Sequence, residues 1–223
     1  MDTSFDNARF NMIQQQIRPW DVVDQRVLNA MADLPREQFV PDAYNSLAYA
    51  DIEIPIGDGA GQSMLAPKVV ARMLQAANIQ DDDRILEVGT GTGYATACLA
   101  RLGGTVISLE IDAGLAGQAQ AVLTSLGLRG VEVRIADAMA GPIEGGPFDV
   151  IVLTGSMPED EPLAALQEQL ASGGRLFAFV GGEPAMEAVL VTRVAANEFR
   201  RESLFETSVP ALVNVPEPEH FTF

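Results

Sequence analysis

The stretch Leu86-Glu87-Val88-Gly89-Thr90-Gly91-Thr92-Gly93-Tyr94 decides the fold. A short apolar strand, Arg84–Val88, runs into three glycines and then into a helix expected over Tyr94–Leu102. Glycine at such a bend permits a sharp turn and lets a ligand approach the main chain, while the helix N-terminus offers free amides. The spacing is Gly-x-Gly-x-Gly, with an acid, Glu87, two residues ahead of the first glycine. The dinucleotide fingerprint needs a glycine three residues after its second one, and that position is Tyr94. No Gly-Lys-Ser/Thr occurs, so a phosphate-binding P-loop is excluded as well.

Downstream, the pattern alternates strand and helix: strands at 105–109, 131–136, 148–153 and 175–180, helices at 113–126 and 163–170. Such near-continuous apolar runs suit strands buried on both faces of a parallel sheet. Residues 188–194 and 199–205 also read as strands, but only 195–198 separate them. No crossover helix fits there, so the two form an antiparallel hairpin at a sheet edge. Alternation puts Phe199, Arg201, Ser203 and Phe205 on one face. The expected fold is α/β: a Rossmann-like, mostly parallel seven-stranded sheet with helices on both faces, a C-terminal antiparallel hairpin and a helical N-terminal extension. A single domain spans 1–223, with 1–80 as extension and covering loop and 81–223 as core. A sheet closed by such a hairpin is the arrangement of class I methyltransferases, whereas nicotinamide-binding domains normally continue with another βαβ unit.

Two further acids fall at strand ends, Glu110 and Asp137. In open α/β sheets ligands bind outside the carboxyl ends of the strands. A carboxylate inside the glycine motif is a poor neighbour for pyrophosphate but suits an ammonium and a sulfonium. Those are the charges of S-adenosyl-L-methionine, whose demethylated product is S-adenosyl-L-homocysteine. The expected cofactor set is therefore Glu87 near the methionine end, Gly89, Thr90, Gly91 and Gly93 at the bend, Glu110 with Ile111 at the ribose, and Asp137 with Ala138 at the adenine.

Composition bounds the alternatives. The chain has 223 residues, 48% of them hydrophobic and 20% charged, with a net charge of −17. Phosphate backbones repel so acidic a surface, which argues against a nucleic-acid partner. No apolar run approaches the length of a membrane span. The start, Met-Asp-Thr-Ser-Phe-Asp, lacks the basic and apolar regions of a signal peptide, so a cytoplasmic protein is expected. Cys98 is the only cysteine and His220 the only histidine, which leaves no disulfide framework and no Cys/His metal site. Oligomeric state is not legible.

In the N-terminal third, Asp6 is placed to cap a helix over 7–17 that Arg18-Pro19-Trp20 would end, and Asp24 to cap another. Phe39-Val40-Pro41 and Ile52-Glu53-Ile54-Pro55-Ile56 read as extended pieces, and Gly57-Asp58-Gly59-Ala60-Gly61 as a loop. Pro67 suits the first turn of a following helix. Thr154-Gly155-Ser156, after the fourth strand, is either a simple turn or a substrate contact. The prolines and aromatics from Val213 to Phe223 could dock back onto the domain.

Together these stretches resemble the protein-L-isoaspartate O-methyltransferase family. The likeness is carried by Met12-Ile13-Gln14-Gln15-Gln16-Ile17-Arg18-Pro19, Asp24-Gln25-Arg26-Val27-Leu28 and Pro35-Arg36-Glu37-Gln38-Phe39-Val40-Pro41. It continues through Gly61-Gln62-Ser63, Ala66-Pro67, the glycine motif and Gly173-Gly174-Arg175-Leu176. The resemblance implies methyl transfer to the free carboxylate of L-isoaspartyl residues in damaged proteins or peptides. It also implies that the Gly61–Pro67 loop covers the cofactor and that Asp137-Ala138 matches a family Asp-Gly beside adenine.

One departure stands out: the family loop reads approximately Gly-Gln-Thr-Ile-Ser-Ala-Pro, and its serine is usually assigned to catalysis. Here Leu65 occupies that position, with Ser63 two residues upstream. An acceptor carboxylate is already ionised at neutral pH, so a hydroxyl there would orient it rather than deprotonate it. Two alternatives stay open: a family enzyme with another small acceptor, and a binding protein that keeps the cofactor site without chemistry.

Overall fold

A computed structural model describes residues 3–57, 59 and 61–216; His220 and the end of the C-terminal stretch lie outside them. The helical extension comprises α1 (Thr3–Asn11), a π-helical turn over Met12–Ile17, a 3-10 turn over Arg18–Trp20, and α2 (Gln25–Asp33). Asp6 does not cap the first helix, which starts earlier; it lies inside α1, 3.6 Å from Arg9. Helical geometry continues through Pro19 and stops at Asp21, whose φ of 59° is left-handed. Asp24 does cap α2, accepting from the Arg26 N–H at 2.8 Å. Of the expected extended piece Phe39-Val40-Pro41, Phe39 ends a 3-10 turn over Arg36–Phe39, closed by the Gln38 N–H onto the Pro35 carbonyl, while Val40 is extended and Pro41 has ψ 144°.

Next come β1 (Ile54–Pro55), paired antiparallel with β2 (Ser63–Met64), and α3 (Pro67–Ala77), which Pro67 opens as expected. The core then runs β3 (Arg84–Val88), α4 (Tyr94–Leu102), β4 (Thr105–Glu110), α5 (Ala113–Ser125), β5 (Val131–Ile135) and β6 (Phe148–Met157). It ends with α6 (Leu163–Gln167), β7 (Leu170–Val180), β8 (Met186–Ala195) and β9 (Glu198–Thr207). The expected helix at 163–170 is shorter, because Leu170 already pairs with Phe148 as the start of β7.

The seven strands lie in the order β5-β4-β3-β6-β7-β8-β9, parallel up to β7 and antiparallel after it. The chain winds outward from β3 to β5 and then returns to the other side of β3. Right-handed crossovers therefore place α4 and α5 on one face and the return connection and α6 on the other. Buried residues divide accordingly: Ile85, Tyr94 and Ala97 belong to the core under α2 to α5, and Leu86, Val88 and Leu163 to the opposite one. Helices lie on both faces, unevenly. Val131–Ile135 is an edge strand rather than a doubly buried one, and Ile135 is exposed. In the hairpin, Ala188 pairs with Phe205 but Val189 pairs with Ser203, so Leu204 is an extra residue. This bulge reverses the alternation. Phe199 packs on the α6 side and Phe205 on the α3 side, not on one face.

Candidate active site

The bend after β3 sits at the point where strand order reverses, between β4 and β6. Gly89 has φ +95°, and a Cβ there would lie 2.3 Å from Thr154 Oγ1. Only glycine fits. The Gly89 and Thr90 N–H groups donate to the Leu109 carbonyl at 2.9 and 3.1 Å, and Thr154 Oγ1 donates to the Gly89 carbonyl at 2.5 Å. Thr154 arrives there because β6 spends four residues from Val152 to Ser156 where β7 spends two, Phe177 to Phe179. Its end is stitched to the C-terminal segment: the Ser156 N–H donates to the Pro210 carbonyl and the Leu212 N–H to the Ser156 carbonyl. Thr154-Gly155-Ser156 is thus strand, not a simple turn.

Two adjoining cavities open at this edge. Gly89, Gly91, Glu110, Ile111, Asp137 and Ala138 all line the first. Both Glu110 oxygens hold the main chain, Oε2 accepting from the Gly91 N–H at 2.7 Å and Oε1 from the Asp112 N–H at 3.0 Å. Asp137 Oδ1 accepts from the Met139 N–H and Oδ2 from Asn214 Nδ2, each at 2.8 Å. Each carboxylate keeps spare lone pairs for ligand donors. The remaining wall includes Leu109, Met139 and Leu212. Carboxylates, apolar side chains and a glycine that leaves no room for a Cβ fit a nucleoside with hydroxyl and amino donors; they do not fit a polyanion.

The second cavity is lined by Leu65, Thr90, Thr92, Tyr94 and Val70, and among the described residues no carboxylate lines it. The two cavities share Ile56, Ser63, Gly89, Gly91 and Thr154. Leu65 is buried. Most hydroxyls here are committed. Ser63 donates to Glu53 at 2.8 Å, and Thr154 donates to main-chain carbonyls. Ser108 gives its proton to Glu87, so Thr90 must donate to Ser108, 2.5 Å away. Thr92 makes no side-chain hydrogen bond among the described residues.

Glu87 and Gly93 reach neither cavity. Strand alternation turns Glu87 to the Ile85 side of the sheet, under α4, where Thr96 and Ser108 donate to its Oε2. Oε1 has no partner. Burial pushes the carboxyl up to about 7, opposed by the Ser108 and Thr96 bonds and aided by nearby Glu110. Glu87, expected to serve the methionine end directly or through water, thus lines neither cavity and faces the interior, its carboxyl raised by burial. Gly93 serves packing, since a Cβ there would meet Ala119 of α5 at 3.2 Å. Sequence reading missed Thr92 as a free donor, although it lies inside the quoted motif. It also missed the covering segment Pro210–Val213, whose only signal was its pair of small and apolar residues between prolines.

A family model described as protein-L-isoaspartate(D-aspartate) O-methyltransferase matches residues 7–213. The chain is 43% identical over 202 residues to a protein-L-isoaspartate O-methyltransferase of Koribacter versatilis, covering 91% of this chain and 89% of the relative. It is 41% identical over 202 residues to the one of Syntrophus aciditrophicus, covering 90% and 91%. Among solved structures, a protein-L-isoaspartate O-methyltransferase superposes with a TM-score of 0.79 at 24% identity, over 92% of this chain and 65% of that one. A Plasmodium falciparum protein assigned the same activity, in complex with S-adenosyl-L-homocysteine, gives 0.74 at 20% identity, over 93% and 97%.

Proposed function

The chain belongs to the protein-L-isoaspartate O-methyltransferase family, and from that premise we propose that it methylates the free carboxylate of L-isoaspartyl residues in damaged proteins. S-adenosyl-L-methionine is the donor and S-adenosyl-L-homocysteine the product. The observation that carries this reading is the junction of the two cavities at Gly89, Gly91, Ser63 and Thr154: a nucleoside-type pocket opens directly into an uncharged one.

On this reading Glu110 accepts from the ribose hydroxyls, its carboxylate fixed in advance by two amides. Asp137 and Ala138, with Ile111, border the adenine, and Gly89 and Gly91 allow close main-chain approach. Glu87 and Gly93 support the bend from behind. When bound, the cofactor supplies a methyl group activated by its sulfonium. The chain itself aligns the acceptor and excludes water. The acceptor has a reference pKa near ~4, so no general base is required and Leu65 in place of a hydroxyl does not stop the reaction. Leu65 and Val70 keep the second cavity dry, and Thr92 is the donor free to hold the acceptor carboxylate. Relatives that carry the isoaspartate name favour neither another acceptor nor a non-catalytic role.

Among the described residues no helix is long and apolar enough to cross a membrane. A cytoplasmic location, without nucleic-acid partners, is supported by the lone buried Cys98 and the net charge of −17. The test is label transfer from S-adenosyl-L-methionine to an isoaspartyl peptide and its aspartyl twin. Only the first should be labelled; equal transfer to both, or none to either, refutes the reading.

A further inference from the structure

We infer that Arg36 is a specificity-determining residue, a buried cation behind the second cavity that selects an ionised carboxylate as methyl acceptor. The inference rests on the function proposed above. Arg36 is 0% exposed. Its Nε donates to the Ala48 carbonyl and its Nη2 to the Leu65 carbonyl, both at 2.8 Å. Its guanidinium carbon lies 4.6 Å from the centre of the Tyr94 ring. Leu65 and Tyr94 are cavity wall, so the charge stands one side-chain layer behind it.

No carboxylate forms an ion pair with Arg36 among the described residues, and its Nη1 has no hydrogen-bond partner. The neighbouring acid, Glu37, is occupied by Arg9 and the Tyr49 hydroxyl. Burying a charge without a counter-ion is costly, and a guanidinium does not escape the cost by losing its proton. In a water-poor interior its field reaches further than it would in solvent. Of the two cavities at the site, the second is the one whose wall Arg36 touches, through Leu65 and Tyr94.

The direction of the effect follows from the reaction. An acceptor oxygen forms a bond to the methyl carbon while the carbon–sulfur bond breaks, its electron pair staying on sulfur. The carboxylate becomes a neutral ester and the sulfonium a neutral thioether. A fixed cation therefore stabilises the free acceptor more than the transition state, and the product ester hardly at all. Arg36 therefore strengthens acceptor binding without helping the chemical step, and its loss raises KM without lowering kcat.

The experiment measures binding of two peptides to protein saturated with S-adenosyl-L-homocysteine: an isoaspartyl peptide with its free carboxylate and the same peptide as the carboxamide. Wild type is expected to prefer the carboxylate by about tenfold, Arg36→Lys to retain most of this, and Arg36→Gln to bring the pair near parity. In turnover, Arg36→Gln should raise the peptide KM about tenfold with kcat unchanged or raised. Unchanged cofactor affinity identifies variants that keep the site folded. If Arg36→Gln fails that control, Arg36→Met, which keeps the stem without the charge, is read in its place, and a carboxylate preference that survives in folded Arg36→Met overturns the inference. No preference in wild type, or one that survives in folded Arg36→Gln, also overturns it. Peptide binding with this preference but no methylation refutes the proposed function instead.

Discussion

The two sides of the glycine bend hold carboxylates in different surroundings. On the inner side Glu87 is fully buried, bonded only to two hydroxyls, with one oxygen unpartnered and its pKa raised by burial. On the outer side Glu110 lines a cavity and accepts from two main-chain amides. The two residues lie on adjacent strands, with Glu87 beside Ser108 in the β3–β4 register. Because Glu110 is two residues beyond Ser108, both acids share one face of the sheet, and what separates the structural carboxylate from the cavity-lining one is its place along the strand, inside the sheet for Glu87 and at the strand end for Glu110. The inner acid is expected to couple the fold to pH, and the outer one, on the proposed function, to bear on affinity for the ligand.

Breaking each side separately sharpens the contrast. Glu87 in the folded protein titrates near 7 against 4.5 in the unfolded chain, so the native state binds the extra proton between those values. Stability from this group is full below the unfolded value and falls as pH rises through the folded one. Glu87→Gln removes the fall, and equilibrium denaturation should find the variant more stable than wild type at pH 8 by up to about 3 kcal/mol, with the two alike near pH 4. Cofactor affinity should change little; a large loss would place Glu87 at the ligand after all.

Glu110→Gln should do the reverse. It exchanges an acceptor oxygen for a donor where main-chain N–H groups point, and calorimetry is expected to show about 100-fold weaker cofactor binding, or roughly 2.7 kcal/mol. Retention of wild-type affinity would remove Glu110 from the ribose site. Thr92→Val is the mildest of the three. Loss of one hydrogen bond to a charged acceptor should lower kcat/KM for the isoaspartyl peptide about tenfold, with cofactor affinity unchanged. Full activity in Thr92→Val would remove Thr92 as the acceptor's partner and leave the unpartnered Tyr94 hydroxyl as the other candidate on this wall.

Much of the core could be read directly. β3 and α4 fall where the apolar run and the glycines put them, and the hairpin follows from the short spacing at 195–198. The strand-end acids Glu110 and Asp137 reach the first cavity as expected, because a parallel sheet brings successive strand ends to one edge. The second cavity was not legible in this way. Its wall is assembled from a loop, the bend and helix starts, and Arg36 reaches it from a 3-10 turn far upstream. The extra residue at Leu204, which sends Phe199 and Phe205 to opposite faces, left no mark in the alternation of the sequence.

By itself the sequence determined the strands of the ligand edge, the glycine bend and the acids beside it, since hydrophobic period and glycine positions are local properties of the chain. Only the tertiary structure decided which of those acids faces a ligand and which is buried. It also decided that Thr154, carried by a bulge, locks the bend and that a cation stands behind Leu65. These depend on register, bulges and contacts between distant segments, which no local pattern encodes.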